Sequence, residues 1–85
     1  MIEREEVVDR AKRVILDNVP DMYGTELTEE TVLNAEGNVD SMGFILVLTK
    51  LEGEFGARIP NSEWDHLRTL GDLVDAVMKH LPKDA

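Results

Sequence analysis

The sequence contains no cysteine among its 85 residues, and this absence excludes several kinds of chemistry. Disulfide bonds and thiolate metal sites both need cysteine sulfur, so neither can form within this chain. Any thiol chemistry in which the protein takes part must therefore come from a group attached to the chain.

Catalytic and metal-binding motifs are also missing. The two histidines, His66 and His80, lie in different segments, and no nucleophile and carboxylate are spaced with them as in a triad. The sequence lacks a His-x-x-x-His metal pair, and its acidic loop lacks the Asp-x-Asp-x-Asp-Gly order of a calcium hand. We therefore predict a protein that is not an enzyme and holds no metal.

No apolar run approaches the ~20 residues that a helix needs to cross a bilayer. Residues 1–6 are acidic and amphipathic, whereas a secretory signal has basic residues followed by apolar ones. We therefore predict a cytoplasmic protein that does not enter a membrane.

Positive charge is scarce: 9 Lys and Arg stand against 18 Asp and Glu, which gives a formal net charge of -9. This balance argues against binding to nucleic acid or to anionic membrane surfaces. It also keeps a small protein soluble and monomeric, so acidity alone does not indicate a binding function. With 85 residues, we expect a single domain, 1–85, with a compact core.

Apolar residues recur at helical spacing in three segments. They predict helices from Glu3 to about Asn18, from Ser41 to about Phe55, and from Leu70 to Leu81. A shorter helix is predicted from Glu63 to about Leu67, with Asn61 or Ser62 as its N-cap and the only tryptophan, Trp64, in a packing role. The sum is a small all-α bundle.

Turn and capping residues mark the ends of these helices. Pro20 ends the first helix, Gly56 is expected to form a left-handed cap after the second, and Pro82 stops the last. Thr69 is a predicted N-cap, with Asp72 three residues later completing an imperfect capping box.

Residues 21–39 show no sustained period and predict a long surface connection. Connections of this length in compact domains are usually pinned or functional. The expected pins are Leu27, Leu33 and Val39, and Thr28 is a candidate cap for a short helical turn at residues 28–31.

The second helix has two apolar stripes. The first consists of Phe44, Val47, Leu48, Leu51 and Phe55, and the second of Met42, Leu46 and Thr49 with Ile45 nearby. One stripe is enough to dock a helix, so the second predicts a binding surface. Ser41 lies at the start of this helix, where the dipole and the backbone N–H groups favour an anion.

Asp40-Ser41-Met42 resembles the Asp-Ser-Leu attachment motif of acyl carrier proteins. Chain length, charge, helix order and the central position of the serine match that family along nearly the whole chain. The resemblance implies a four-helix bundle of acyl-carrier type, with three main helices, a short third helix and a long first loop.

The resemblance also implies a function. Ser41 would carry a covalent 4'-phosphopantetheine taken from coenzyme A, whose thiol holds acyl or aminoacyl groups, and Asp40 would be the part of the motif that a separate phosphopantetheinyl transferase reads. Loading and condensing enzymes with basic or apolar docking patches are the other implied partners. We expect them to dock on Met42, Ile45, Leu46 and Thr49, with Glu52 and Glu36 at the rim.

Several residues depart from the carriers of fatty acid synthesis. Gly43 and Leu46 replace acidic residues, Lys50 adds a positive charge, and Asn38-Val39 follows Gly37 where Gly-Ala is usual. These departures indicate a specialised carrier of polyketide, peptide-synthesis or D-alanyl transfer type. Phe44, Val47, Leu48 and Leu73 would line an acyl pocket, or would simply form the core.

An alternative hypothesis is a small acidic helical protein-interaction module without a prosthetic group. It would use the Met42 and Leu46 stripe to bind a partner helix. Modification by a phosphopantetheinyl transferase distinguishes the two.

Overall fold

A computed structural model describes residues 2–19, 22, 24, 26–33 and 41–82, and for Ser41 it describes the backbone alone. These residues form four helices: α1 at Arg4–Asn18, α2 at Ser41–Phe55, α3 at Asn61–Trp64 and α4 at Leu70–Lys79. The predicted all-α fold, with three main helices and a short third one, is confirmed. Within the described part of the chain, no helix is both long enough and apolar enough to span a bilayer.

The apolar face of α1 is buried against the bundle, as its periodicity predicts. Val7, Ala11 and Ile15 are fully buried, and the helix contacts both α2 and α4. Glu5 and Glu6 lie in its first turn, where the dipole favours negative charge. Glu3 is the N-cap rather than the first helical residue, so α1 begins one position later than predicted.

The first apolar stripe of α2 forms the middle of the core. Its five residues are at most 7% exposed: Phe44, Val47, Leu48, Leu51 and Phe55. The chain leaves α2 through Gly56, whose φ of +67° is the left-handed conformation predicted there. α2 therefore presents one face to α1 and α4, and its other face points away from them.

The first turn of α4 is fully capped. Asp72 N–H donates to Thr69 Oγ1 at 3.0 Å, and Thr69 N–H donates to Asp72 Oδ2 at 3.1 Å, which completes the predicted capping box. The two preceding N–H groups, of Leu70 and Gly71, donate to the carbonyls of Thr31 and Glu29 at 3.0 and 2.8 Å. The helix ends at Lys79 with His80 as its C-cap, two residues before the predicted end at Leu81.

The predicted bounds of the short helix are wrong. α3 covers Asn61–Trp64 rather than 63–67, and its N-cap is Pro60, without a side-chain cap from Asn61 or Ser62. Pro60 has φ near -59°, and its carbonyl accepts from Glu63 N–H at 2.9 Å. Trp64 packs on the core and donates from Nε1 to the Ile59 carbonyl at 3.0 Å, as expected of a packing residue.

The first connection is pinned to the bundle. Leu27 and Leu33 are buried as predicted, whereas Val39 lies outside the described residues. Thr28 does not cap a helical turn. Its N–H instead donates to Thr31 Oγ1 at 2.8 Å, and Thr31 N–H donates back to the Thr28 carbonyl. Val32 then pairs with Thr69 in an isolated β-bridge, which fixes this segment beside the start of α4.

Candidate functional site

The start of α2 matches the predicted position, because Ser41 is the first residue of this 15-residue helix. Its first turn contains no acidic residue, so no carboxylate there offsets the positive end of the helix dipole. A hydroxyl residue at such a position fits a phosphodiester, whose charge the helix start favours. Asp40 and Glu36 lie outside the described residues, as does the side chain of Ser41, and their roles stay predictions.

Three large apolar side chains are exposed immediately after Ser41. Met42 is 79% exposed, Ile45 45% and Leu46 41%. We call these three residues the α2 apolar surface. Exposed hydrophobic side chains grouped in this way are typical of binding surfaces. The predicted exposure of the second stripe is confirmed, and Thr49 and Lys50 continue it along the exposed side of the helix.

Charged groups on α2 are confined to its second half. Lys50 is exposed and forms no ion pair with a described side chain. Glu52, predicted at the rim of the docking stripe, is half-buried and accepts from Ile59 N–H at 2.8 Å. Glu54 pairs with Arg10 of α1, whose guanidinium also lies 4.6 Å from the centre of the Phe55 ring. Both acids of α2 are therefore bound to other parts of the chain.

The residues considered for an acyl pocket are packed in the core. Phe44, Val47, Leu48 and Leu73 are all at most 5% exposed. A surface hollow of about 180 Å³ lies elsewhere, between α3 and α4, where it is lined by Glu63, Leu67, Asp72 and Asp75 among others. These four residues thus belong to the hydrophobic core of the bundle.

Neither histidine belongs to α2. His66 is exposed, and His80 Nε2 lies 2.9 Å from Glu63 Oε2. This hydrogen bond, with the charge of nearby Lys79, lowers the pKa of Glu63. Among the residues that the structure describes, no cluster of histidines and carboxylates could hold a metal ion.

Sequence reasoning missed the contacts that the carbonyls of Glu29 and Thr31 make with α4, as well as the Glu52 hydrogen bond. Each of these joins residues far apart in the chain or uses a backbone atom. No residue type in the sequence signals such a contact.

Comparison with known proteins finds relatives that match this chain over most of its length. Residues 14–77 match a family described as "Phosphopantetheine attachment site". The chain is 32% identical to an acyl carrier protein of Lactobacillus acidophilus over 93% of its own length and 98% of the relative's. It is 36% identical to an acyl carrier protein of Shigella flexneri over 78% and 88% of the two chains. A meromycolate extension acyl carrier protein of Mycobacterium leprae is 26% identical over 92% of this chain and 67% of its own.

Proposed function

Because the chain belongs to the acyl carrier protein family, whose members carry a covalent 4'-phosphopantetheine, we propose that Ser41 is the attachment residue and that the cargo is an acyl or aminoacyl group. The protein is a non-catalytic carrier. A separate phosphopantetheinyl transferase would install the group, and loading and condensing enzymes would act on the cargo in the cytoplasm.

The position of Ser41 carries this proposal. It is the first residue of α2 and lies within the matched segment, residues 14–77. The only other serine, Ser62, lies in the four-residue helix α3, which offers no comparable helix start. A phosphodiester at Ser41 would lie at the positive end of a helix whose first turn carries no carboxylate.

Each part of the chain then has a distinct task. When bound, the group supplies a terminal thiol that holds the cargo as a thioester. The helix start stabilises the phosphate, and the buried stripe of α2 holds that helix start against α1 and α4. The α2 apolar surface lies next to the attachment residue, where an enzyme that acts on the cargo must approach.

The residue types along α2 favour a specialised carrier over a carrier that serves fatty acid synthesis. Gly43 and Leu46 occupy positions of the helix at which the resemblance to fatty acid carriers leads one to expect acids, and Lys50 adds a positive charge. A relative named for meromycolate extension shows that the family includes carriers with dedicated roles. On the chemistry of α2, we propose that this chain is one of them.

Incubation with coenzyme A and a broad-specificity phosphopantetheinyl transferase tests the attachment. Intact-mass measurement should show one added phosphopantetheine on the wild-type protein and none on Ser41→Ala. Ser62→Ala is the matched control and should be modified like the wild type. If the folded wild-type protein stays unmodified, or if Ser41→Ala is still modified, Ser41 is not the attachment residue. An unmodified wild type would favour an interaction module that uses the α2 apolar surface.

A further inference from the structure

The α2 helix differs in charge from the rest of the chain. The protein has 18 acidic residues, yet residues 41–51 of α2 contain none, and Lys50 is their only charged residue. The acids that follow, Glu52 and Glu54, are bound to Ile59 N–H and to Arg10. From residue 41 to residue 51, α2 therefore presents apolar side chains and one positive charge on an otherwise acidic protein.

The exposed apolar area coincides with this stretch that lacks acids. Met42, Ile45 and Leu46 are 79%, 45% and 41% exposed, and Lys50 is exposed one turn after Leu46. A basic patch on a partner would face Lys50 and would find no carboxylate within residues 41–51 to pair with. An apolar depression on a partner would remove all three hydrophobic side chains from water.

We propose that the enzymes that reach Ser41 dock on α2 through an apolar depression rather than through a basic patch. This inference rests on the proposed function, because it takes Ser41 as the residue that those enzymes approach. A second copy of this chain does not fit the surface, since each copy carries a formal net charge of -9 and two copies repel one another. The occupant is a different protein, apolar where it meets Leu46 and not basic where it meets Lys50.

Phosphopantetheinyl transfer can be used to test the proposed apolar docking, because the transferase must dock beside Ser41 to modify it. The probe is the broad-specificity transferase with coenzyme A, and the quantity measured is the KM for the full-length carrier. Apolar docking predicts that KM changes by less than about twofold when NaCl rises from ~0.05 to ~0.5 M, since screening acts on charges. A basic patch predicts a KM that rises steeply with salt.

Substitutions on α2 test the same contact. Leu46→Ser should raise KM about fivefold or more, as expected when a side chain at the centre of an interface is truncated. The matched control is Val32→Ser, which removes an apolar side chain of similar exposure, 37%, from outside α2, and it should change KM by less than about twofold. Circular dichroism melting verifies that both variants are folded, and Met42→Ser serves as a second test of the surface.

The Lys50→Glu variant tests whether the partner is basic where it meets α2. A basic patch would bind the new carboxylate, and KM would fall. Apolar docking predicts that KM stays the same or rises.

Three kinetic results would overturn the inference: a KM that rises steeply with salt, a KM for Leu46→Ser that matches that of Val32→Ser, or a lower KM for Lys50→Glu. A dimer of the carrier in sedimentation equilibrium, abolished by Leu46→Ser, would also overturn it. Each of these can occur while Ser41 is still modified. A complete lack of modification instead contradicts the proposed function.

Discussion

Gly71 shows how one residue holds the first connection against the bundle. Its N–H donates to the Glu29 carbonyl at 2.8 Å. A Cβ at this position would lie 3.0 Å from the Glu29 carbonyl oxygen and 3.3 Å from Glu29 Cβ. The backbone of the connection therefore packs directly on the first turn of α4, and a methyl group at Gly71 would require the Glu29 backbone to move by a few tenths of an ångström.

Gly71→Ala should destabilise the protein. The new methyl group has to displace a backbone carbonyl, and we expect the free energy of unfolding to fall by about 1 to 2 kcal/mol. This loss would occur although alanine favours a helix by roughly 1 kcal/mol over glycine. Urea denaturation of the purified variant measures the change.

Gly53→Ala is the matched control, because Gly53 also lies in a helix but its Cβ would meet nothing within 4 Å. We expect this variant to be more stable than the wild type by up to about 1 kcal/mol. If both variants shift the urea midpoint in the same direction, close packing at Gly71 is not the cause.

Among the helices, α4 owes the capping of its first turn to Asp72. Its carboxylate accepts from the backbone N–H groups of Arg68 and Thr69 at 2.9 and 3.1 Å. The bond from Arg68 N–H is the main cause that lowers the pKa of Asp72, and the bonds with Thr69 add to it. The charged form is therefore favoured in the folded protein.

This lowered pKa makes part of the stability depend on pH. Because the folded value lies below the ordinary aspartate value, the contribution is complete above the ordinary value and is lost as pH falls through the lowered one. Asp72→Asn should therefore lose less stability than the wild type between about pH 5 and pH 2, although it is less stable at neutral pH by about 1 kcal/mol. Urea denaturation across this pH range tests the prediction. Asp65→Asn, which removes a carboxylate at an exposed position outside the capping box, is the matched control for the loss of one negative charge.

At the scale of the whole molecule, ion pairs between helices and a large negative net charge act on stability in opposite directions. Arg4 joins α1 to Glu29 and Asp75 at 2.5 and 2.6 Å, and Arg10 joins α1 to the end of α2 through Glu54. Exposed pairs of this kind each contribute little, typically below about 1 kcal/mol. The remaining formal net charge of -9 is unfavourable to a compact state.

Added salt should therefore stabilise the protein. We expect Tm at neutral pH to rise when NaCl increases from ~0.01 to ~0.5 M, because screening weakens the repulsion among carboxylates more than it weakens the ion pairs. Differential scanning calorimetry measures this, and the same titration near pH 4, where many carboxylates are protonated, should show a smaller rise. A fall in Tm at neutral pH would mean that the Arg4 and Arg10 pairs outweigh the net repulsion.

Local patterns in the sequence predict α1, α2 and α4 well, since an apolar residue on every turn has to face a core whatever lies opposite. Val7, Leu48 and Val74 illustrate this, and all three are fully buried. The Thr69 capping box is equally local. Prediction was wrong for the bounds and the N-cap of α3, because a four-residue helix has no period to detect. It was also wrong for the role of Thr28, because either Thr28 or Thr31 can supply a hydroxyl to the same turn.

The candidate site was found in two different ways. The position of Ser41 at a helix start and the surplus stripe containing Met42 and Leu46 follow from periodicity. The attached group follows from the resemblance of Asp40-Ser41-Met42 to a family motif, since a serine at a helix start is otherwise an ordinary cap.

The sequence by itself determined the three long helices, the core face of each, the capping of α4 and a net charge that restricts the partners, because each depends on residue type and on neighbours within a turn or two. Only the tertiary structure decided how the first connection meets α4 at Gly71, how Arg4 and Arg10 join distant carboxylates, and which bonds occupy Glu52 and Glu54. It also decided that α1 and α4 are the helices that pack against α2. Apart from the local hydrogen bond between Ile59 and Glu52, these contacts join residues far apart in the chain, and their geometry exists only once the helices have packed together.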